Sequence, residues 1–97
     1  MVDIEHDAAA SRFFLLIEGH RCVLDYALTN GTMTITHTGV PEALGGRGLA
    51  GEITRVALEH AKQHGWRVVP RCSYAAVYIQ RHPEYASLVA QSGSQSA

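Results

Sequence analysis

The sequence predicts a single α/β domain, in which a mostly antiparallel, mixed sheet of about four to five strands carries two or three helices. Short apolar runs with a period of two dominate the chain before residue 39, as expected for half-buried strands. A helical period begins at Leu49. The length of 97 residues is enough for one small core and leaves no room for a second domain.

Three strands that form an antiparallel meander are predicted for the first part of the chain. The candidate strands are residues 12–18, 21–29 and 32–38, with Val2 and Ile4 as a further short edge strand. Asn30-Gly31, between the last two strands, is a type I′ hairpin signal. Alternation in the third strand predicts that Met33, Ile35 and His37 share one face.

A helix, a short strand and a second helix are predicted for the rest of the chain. The first helix begins at Leu49 and ends before Gly65, a typical C′ residue. The short strand covers residues 66–69 and is ended by Pro70. A right-handed crossover would make it parallel to strand 32–38. The second helix runs from Cys72 or Ser73 to about Arg81, and Pro83 interrupts it before one or two further turns that reach Ala90.

Composition and charge exclude several classes of protein. The formal net charge of −1 argues against broad nucleic-acid binding. The longest apolar run, residues 13–17, is too short to span a bilayer, and the acidic first residues lack a signal-peptide core. We therefore expect a cytoplasmic protein with no nucleic-acid or membrane partner and with reduced cysteines. The expected domain is residues 1–90, followed by a flexible polar tail at residues 91–97.

A glycine-rich loop precedes the first predicted helix. It contains Gly45, Gly46, Gly48 and Gly51, with Arg47 among them. Glycines let backbone N–H groups approach an anion closely, and a helix N-terminus adds partial positive charge. The loop therefore favours phosphate binding, in which a guanidinium can assist. The alternative is a tight turn that lets the helix pack closely on the sheet.

Two familiar phosphate motifs do not fit this loop. Residues 46–51 match G-x-G-x-x-G, but the loop lies well beyond the strand end at Thr38. The next strand ends in Val69-Pro70-Arg71, without the acidic residue that a dinucleotide fold requires there. A Walker A loop is excluded because no Gly-Lys-Ser/Thr follows.

The loop, together with the meander and the long helix, resembles motif A of the GNAT superfamily of N-acetyltransferases, [Gln/Arg]-x-x-Gly-x-[Gly/Ala]. The sequence is most similar to short stand-alone GNAT-like proteins, the N-acetyltransferase domain-containing and bacterial YjdJ-type proteins. The stretches that carry the resemblance are residues 37–41, 46–50, 69–74 and 78–85, and together it covers roughly residues 4–90. Position 45 departs from the pattern, because Gly45 replaces the Arg or Gln that commonly helps to bind a pyrophosphate.

The resemblance implies acetyl-CoA, or another acyl-CoA, as the co-substrate. It implies that the edge of the strand at residues 32–40 pairs with the pantetheine arm and that the backbone N–H groups of residues 47–51 bind the pyrophosphate. The implied cofactor-binding residues are Thr38, Gly39, Val40, Gly46, Arg47, Gly48, Leu49, Ala50, Gly51 and Arg81. No metal is expected, because His60 and His64 share a helix face without a third ligand and are interpreted as a solvated pair.

Cys72, His37 and Tyr78 are the candidate catalytic residues. Cys72 follows a strand and opens a helix, where a thiol becomes more nucleophilic; it is either acylated, or a contact residue in direct transfer, or a small buried side chain. His37 either accepts a proton from the attacking amine or makes an ordinary hydrogen bond at the sheet edge. The resemblance implies that Tyr78 protonates the leaving thiolate; the alternative is packing against the sheet.

The resulting hypothesis is an N-acetyltransferase that transfers an acyl group from acetyl-CoA to an amine. The short chain leads us to expect a protein or peptide acceptor, or a partner subunit that completes the site, in a monomer or weak dimer. One alternative is a CoA-binding or acyl-CoA-binding module with little catalysis, which Gly45 favours. The other is a partner-binding domain that keeps the fold without a CoA site.

Overall fold

The computed structural model describes residues 3–89. It contains five strands in the sheet order β1-β2-β3-β4-β5, together with two α-helices and two 3-10 helices. The strands are β1 (Glu5–Asp7), β2 (Arg12–Ile17), β3 (His20–Thr29), β4 (Thr32–Gly39) and β5 (Arg67–Pro70). The helices are α1 (Leu49–Gln63) and α2 (Ser73–Arg81), and the 3-10 helices are Glu42–Leu44 and Pro83–Leu88. The predicted α/β class and mixed sheet are confirmed.

The sheet is a four-stranded antiparallel meander with one parallel strand added at its edge. Asn30 and Gly31 have positive φ angles of 52° and 77°, which a type I′ turn requires, and they join β3 to β4. After α1 the chain returns as β5, which pairs in parallel with β4 from Thr32↔Arg67 to Ile35↔Pro70. The predicted hairpin and the predicted parallel pairing of β5 with β4 are therefore confirmed.

Both α-helices cover one face of this sheet, called here the helix face, and leave the open face to solvent. The helix face of the strands includes Phe13, Leu24 and Met33, all of which are fully buried against α1 and α2. On the open face Leu16 keeps 62% of its side chain exposed. The apolar stripe of α1 consists of Leu49, Ile53, Ala57, Leu58 and Ala61, all of them buried. The 3.6-residue period therefore fixes which side of α1 meets the sheet.

A second, smaller apolar cluster holds the glycine-rich loop against the sheet. It joins Leu15 and Cys22 of β2 and β3 to Leu44 and Leu49, which flank the loop on either side. Leu44 comes from the first 3-10 helix, whose turn closes with a hydrogen bond from Gly45 N to Glu42 O. The loop is thus anchored at both ends while the glycines between remain exposed.

The structure changes one strand assignment. The edge strand β1 begins at Glu5, after Ile4, and His6 pairs with Phe13 of β2. The expected participation of Ile4 is wrong: it packs on the core instead of pairing. Val2, Ala90 and the expected tail at residues 91–97 lie outside the described residues. Among residues 3–89 no helix is long and apolar enough to cross a membrane.

Candidate functional site

The glycine-rich loop ends in an exposed helix N-terminus. Gly46 and Gly48 have φ angles of 81° and 73°, a left-handed conformation that other residues rarely adopt. Gly48 is the N-cap of α1. Its carbonyl oxygen accepts the first hydrogen bond of the helix, from the backbone N–H of Glu52, at an N···O distance of 3.0 Å. The N–H groups of Leu49 and the next two residues therefore have no partner within the helix. They form an anion-binding arrangement, supported by the helix dipole.

Two cavities adjoin this helix N-terminus. The loop cavity, of about 310 Å³, is lined by Val40, Pro41, Glu42, Leu44, Gly45, Gly46, Gly48, Leu49, Ala50, Gly51 and Tyr74. The interhelical cavity, of about 340 Å³, is lined by Gly48, Gly51, Glu52, Arg55, Tyr74, Val77, Tyr78, Arg81 and His82. Gly48, Gly51 and Tyr74 line both, so the cavities meet beside the first turn of α1. A long ligand could occupy both at once.

The parallel pairing of β4 with β5 stops before β4 itself ends. The last pair is Ile35↔Pro70, whereas pairing of β4 with β3 continues to Val23↔Gly39. The backbone N–H groups of Arg71 and Cys72 both donate to Ile35 O at 3.0 Å, and the chain then turns into α2. Within residues 3–89 no strand pairs with residues 36–39 on that side. This open backbone edge can accept an extended ligand in a strand-like way.

Cys72 lies at the inner end of this open edge. It is half-buried at the N-cap of α2, and its Sγ lies 3.5 Å from Thr38 Oγ1. Burial raises the pKa of the Cys72 thiol, but hydrogen bonds from the Thr38 hydroxyl and from the backbone N–H groups of Ala75 and Tyr74 outweigh it, so that the pKa lies below its ordinary value. The structure therefore supports a more nucleophilic thiol at this position.

His37 occupies the opposite face of the sheet. A β-bulge separates the pairs Tyr26↔Ile35 and Asp25↔His37, so Thr36 is an extra residue in β4. The prediction that His37 shares a face with Met33 and Ile35 is therefore wrong, because the bulge reverses the alternation from this point. His37 is exposed on the open face, and its Nε2 would lie only 2.9 Å from a Cβ at Gly39. Its role as a proton acceptor stays a prediction.

Tyr78 and Arg81 line the interhelical cavity on α2. The Tyr78 ring stacks on His82 with a centroid distance of 3.9 Å. Burial raises the pKa of Tyr78, against the opposing charge of Arg55, so the phenol keeps its proton near neutral pH. Arg55 faces this cavity from α1, where its Nη2 donates to the Glu52 carboxylate at 3.2 Å, so an anion in the cavity would meet Arg81 and a guanidinium that already has an acidic partner. The described contacts bring Cys72 and Thr38 together, but not Cys72 and His37.

Arg47 is engaged within the protein. Its Nη1 and Nη2 donate to the two carboxylate oxygens of Glu18 at 2.8 and 3.0 Å, across the turn between β2 and β3. Glu18 has a positive φ of 54°, which turns the chain towards the loop. Both side chains of the pair are solvent-exposed, so the ion pair contributes little stability and can open at low cost in free energy. Binding of a phosphate by Arg47 stays a prediction that requires Glu18 to share or release it.

Five residues of the interhelical cavity were missed at the sequence level: Glu52, Arg55, Tyr74, Val77 and His82. A helical signal could have identified them. Glu52 and Arg55 follow Gly48 and Gly51 on one stripe of α1, and Tyr74, Val77, Tyr78 and Arg81 form a matching stripe on α2. Thr54, which lies between Glu52 and Arg55 in the sequence, is buried and does not line the cavity. Its hydroxyl donates a hydrogen bond to Ala50 O.

The histidines of α1 belong to an aromatic cluster. His60 and His64 stack at a centroid distance of 4.1 Å, and His60 also contacts His6 of β1 and Trp66. The interpretation of His60 as part of a solvated pair is wrong, because that ring is half-buried. Among residues 3–89 no group of three or more His, Cys, Asp or Glu side chains is arranged to hold a metal ion.

The structure is that of an α/β protein with a glycine-capped helix N-terminus beside a strand that is only partly paired on one side. Comparison with known families makes the class specific. The sequence model of the GCN5-related N-acetyltransferases matches residues 12–88, which is more than half of the chain. The chain therefore belongs to the GCN5-related N-acetyltransferase family. The predicted GNAT-like family is thus confirmed, while the narrower YjdJ-type likeness stays a prediction.

Several proteins resemble the chain over most of its length. Protein NATD1 of Xenopus tropicalis, Gallus gallus and Homo sapiens is in each case 28% identical over 85 residues, which cover 84% of this chain and 78%, 77% and 75% of those proteins. The solution structure of a GCN5-like protein from Staphylococcus aureus superposes with a TM-score of 0.72 at 21% identity. It covers 99% of this chain and 97% of its own. This likeness confirms the predicted GNAT-like fold.

Proposed function

We propose that the protein is an acetyl-CoA-dependent N-acetyltransferase that transfers the acyl group to an amine. One observation carries the proposal: the loop cavity joins the free N–H groups at the start of α1 to Val40 and Tyr74, which come two residues after Thr38 and Cys72 in the chain. An extended thioester ligand with a phosphate group at one end would fit a cleft in which anion-binding N–H groups are followed by an open strand edge. Membership of the N-acetyltransferase family supports the same conclusion.

Each part of the cleft has an expected contact with acetyl-CoA. The backbone N–H groups of residues 49–51 and the positive φ of Gly46 and Gly48 suit the pyrophosphate. The open edge at residues 38–40 suits the amide-containing arm. Arg81, with Arg55, offers positive charge to a further phosphate in the interhelical cavity. Because Gly45 has no side chain, this binding depends mainly on backbone groups.

Acyl transfer from a thioester to an amine requires the protein to position the thioester and to move protons. Acetyl-CoA, when bound, supplies the acyl group. Cys72 is proposed either to attack the carbonyl or to contact it during direct transfer, and its environment favours the thiolate. Tyr78 keeps a proton that can be donated to the leaving thiolate. His37 is exposed on the open face, so it serves as proton acceptor only for an amine that approaches from that side.

A second candidate function is a CoA-binding or acyl-CoA-binding module with little turnover. It is favoured by Gly45 and by the separation of His37 from Cys72 on opposite faces of the sheet. Under this alternative the cleft binds the ligand, but no imidazole assists the attack of an amine. The two candidates therefore differ in turnover and agree in affinity.

Thermal unfolding in the presence of acetyl-CoA tests the proposal, with NADH and ATP as controls. A ligand at about 100 times its Kd adds about 2.7 kcal/mol of stability, which raises Tm by roughly 10 °C or more in a domain of this size. We expect a selective, saturable rise with acetyl-CoA, and acetylation of an amine that falls in the Cys72→Ala variant. Binding without turnover would favour the module. No rise at millimolar acetyl-CoA would contradict both functions.

A matched pair of variants shows whether the loop is where acetyl-CoA binds. Ala50→Glu puts a carboxylate among the N–H groups at the start of α1, whereas Ala50→Gln adds a side chain of the same size without charge. Because the carboxylate repels a phosphate, we expect the stabilisation by acetyl-CoA to fall further in the Glu variant than in the Gln variant. Equal losses would mean that the loop does not bind the phosphate.

A further inference from the structure

The β-bulge in β4 decides which side chain of the strand faces Cys72. Without the extra residue Thr36, regular pairing would place His37 opposite Leu24, on the helix face. With it, Thr38 pairs with Leu24, which is fully buried on that face. Residues opposite each other in an antiparallel pair project to the same side. The bulge therefore exchanges an imidazole for a hydroxyl on the side where the thiol lies.

Cys72 is fixed to the same strand as this hydroxyl. Its backbone N–H donates to Ile35 O at 3.0 Å, and the neighbouring Arg71 N donates to the same oxygen. Sγ of Cys72 lies 3.5 Å from Thr38 Oγ1, within hydrogen-bond reach for sulfur. The backbone contact thus brings the residue that carries the thiol to the strand that carries the hydroxyl.

The surroundings of the thiol contain neutral donors and no charged partner. From α2 it faces the N–H groups of Tyr74 and Ala75, and from β4 the hydroxyl and the backbone N–H of Thr38. No charged side chain among residues 3–89 accounts for the state of this thiol, and the adjoining Arg71 is exposed. Thr38 is the one side chain of the described chain that bonds to Cys72. A thiolate at this place therefore depends on that hydroxyl more than it would beside an imidazolium.

We propose that Thr38 is a positioning residue for Cys72, whose hydroxyl donates to the Cys72 thiolate and holds Sγ at the open edge of β4. The bulge at Thr36 is the structural feature that makes this contact possible. The proposal rests on the proposed function and deepens it, because it concerns the thiol that is proposed there to act on the acyl donor. The experiment that tests it uses no CoA. The role of Thr38 can therefore be contradicted even if the protein binds acetyl-CoA, and it can be supported even if the protein does not.

The experiment measures the rate of Cys72 alkylation by iodoacetamide as a function of pH, with peptides resolved by mass spectrometry. Thr38→Val keeps the shape of the side chain and removes the donor, so the midpoint of the pH profile should rise by about one unit, which is the loss of about one hydrogen bond to an ion. Thr38→Ser should restore the midpoint to within a few tenths of a unit. Cys22, which is fully buried, reports on the fold in the same samples.

Thr34→Val is the matched control, because Thr34 lies in the same strand on the open face, away from Cys72. We expect its profile to coincide with that of the unmodified protein. If Thr38→Val makes Cys22 reactive, Thr38→Ala removes the same donor with less apolar bulk and is interpreted in the same way. An unchanged midpoint in a folded Thr38→Val or Thr38→Ala protein, or a Thr38→Ser profile like that of Thr38→Val, would overturn the proposal.

Discussion

Gly51 lies where α1 approaches the aromatic side chains of α2. A Cβ at this position would be 3.3 Å from the Tyr74 hydroxyl and 3.6 Å from Cε2 of Tyr78. The nearer atom is the end of a side chain that is 39% exposed, so it can move. Gly51 therefore contributes space at the junction of the two cavities, at the expense of helix stability.

The variant Gly51→Ala should separate stability from binding. Alanine favours the helix by about 0.5–1 kcal/mol over glycine, and the Tyr74 ring can move to relieve the contact. Because the displaced ring moves within the cavities, we expect a higher free energy of unfolding together with weaker acetyl-CoA binding. Chemical denaturation and the ligand-dependent shift in Tm measure the two effects. A variant that binds as well as the unmodified protein would show that the junction is not used.

Single residues also show where sequence reasoning reaches its limit. Cys72 was predicted at the start of a helix and occurs there, because a strand followed by a helical period fixes that boundary. His37 was assigned to the wrong face because alternation assumes an uninterrupted strand. Nothing in the sequence around Thr36 marks the bulge, since the position lacks the glycine that announces one common type.

At the scale of elements, β1 is attached through a group of histidines and aromatic rings. His6 stacks on Phe13, bonds the Tyr26 hydroxyl and contacts His60 of α1. Burial lowers the pKa of His6 and of His60, and nearby histidines lower both further; His64 acts on each, and Asp7 partly opposes the effect at His6. The folded state therefore resists protonation of this group.

The expected consequence is a loss of stability in mild acid. Both pKa values lie below 6.5 in the folded protein, so the unfolded chain binds more protons as the pH falls through that value. Stability is retained above about pH 6.5 and lost progressively below it. Tm measured between about pH 7.5 and pH 5 should fall.

A matched pair of histidine variants assigns this acid sensitivity. His60→Gln removes a proton-binding ring from the centre of the group and should reduce the fall in Tm. His20→Gln changes a residue at the start of β3, outside the group, and should leave the fall unchanged. If the two variants respond alike, the acid sensitivity does not originate in the cluster of His6, His60 and His64.

The elements themselves were largely predictable. Strand alternation, Asn30-Gly31 and the stop at Gly65 give β2, β3, β4 and α1 nearly as observed, because each depends on local sequence. The bounds of the edge strand β1 were not predictable, because Glu5–Asp7 is polar. The strand is held by contacts of His6 with residues that are distant in the sequence, such as His60. The interhelical cavity likewise depends on how α1 and α2 face each other, which one helical period alone does not determine.

At the scale of the whole molecule, stability depends on one core layer between the sheet and the helices. Ile53 of α1 is fully buried in it, among residues from the strands and from α2. We expect Ile53→Val to cost about 0.5–1.5 kcal/mol and Ile53→Ala about 2–5 kcal/mol of unfolding free energy. Small domains have about 5–15 kcal/mol in total, so the alanine variant should be strongly destabilised in urea. Equal losses in the two variants would contradict this packing.

The Ile35 carbonyl has a consequence for how the reactive group can be disturbed. It accepts hydrogen bonds from the N–H groups of both Arg71 and Cys72, and Ile35 is a fully buried residue of β4. Fraying of α2 from its C-terminal end can therefore carry away Tyr78 and Arg81 while the thiol keeps its place. Release of Cys72 requires in addition that the two hydrogen bonds to the buried Ile35 carbonyl open. The two walls of the cleft therefore differ in how much structure must open before they move.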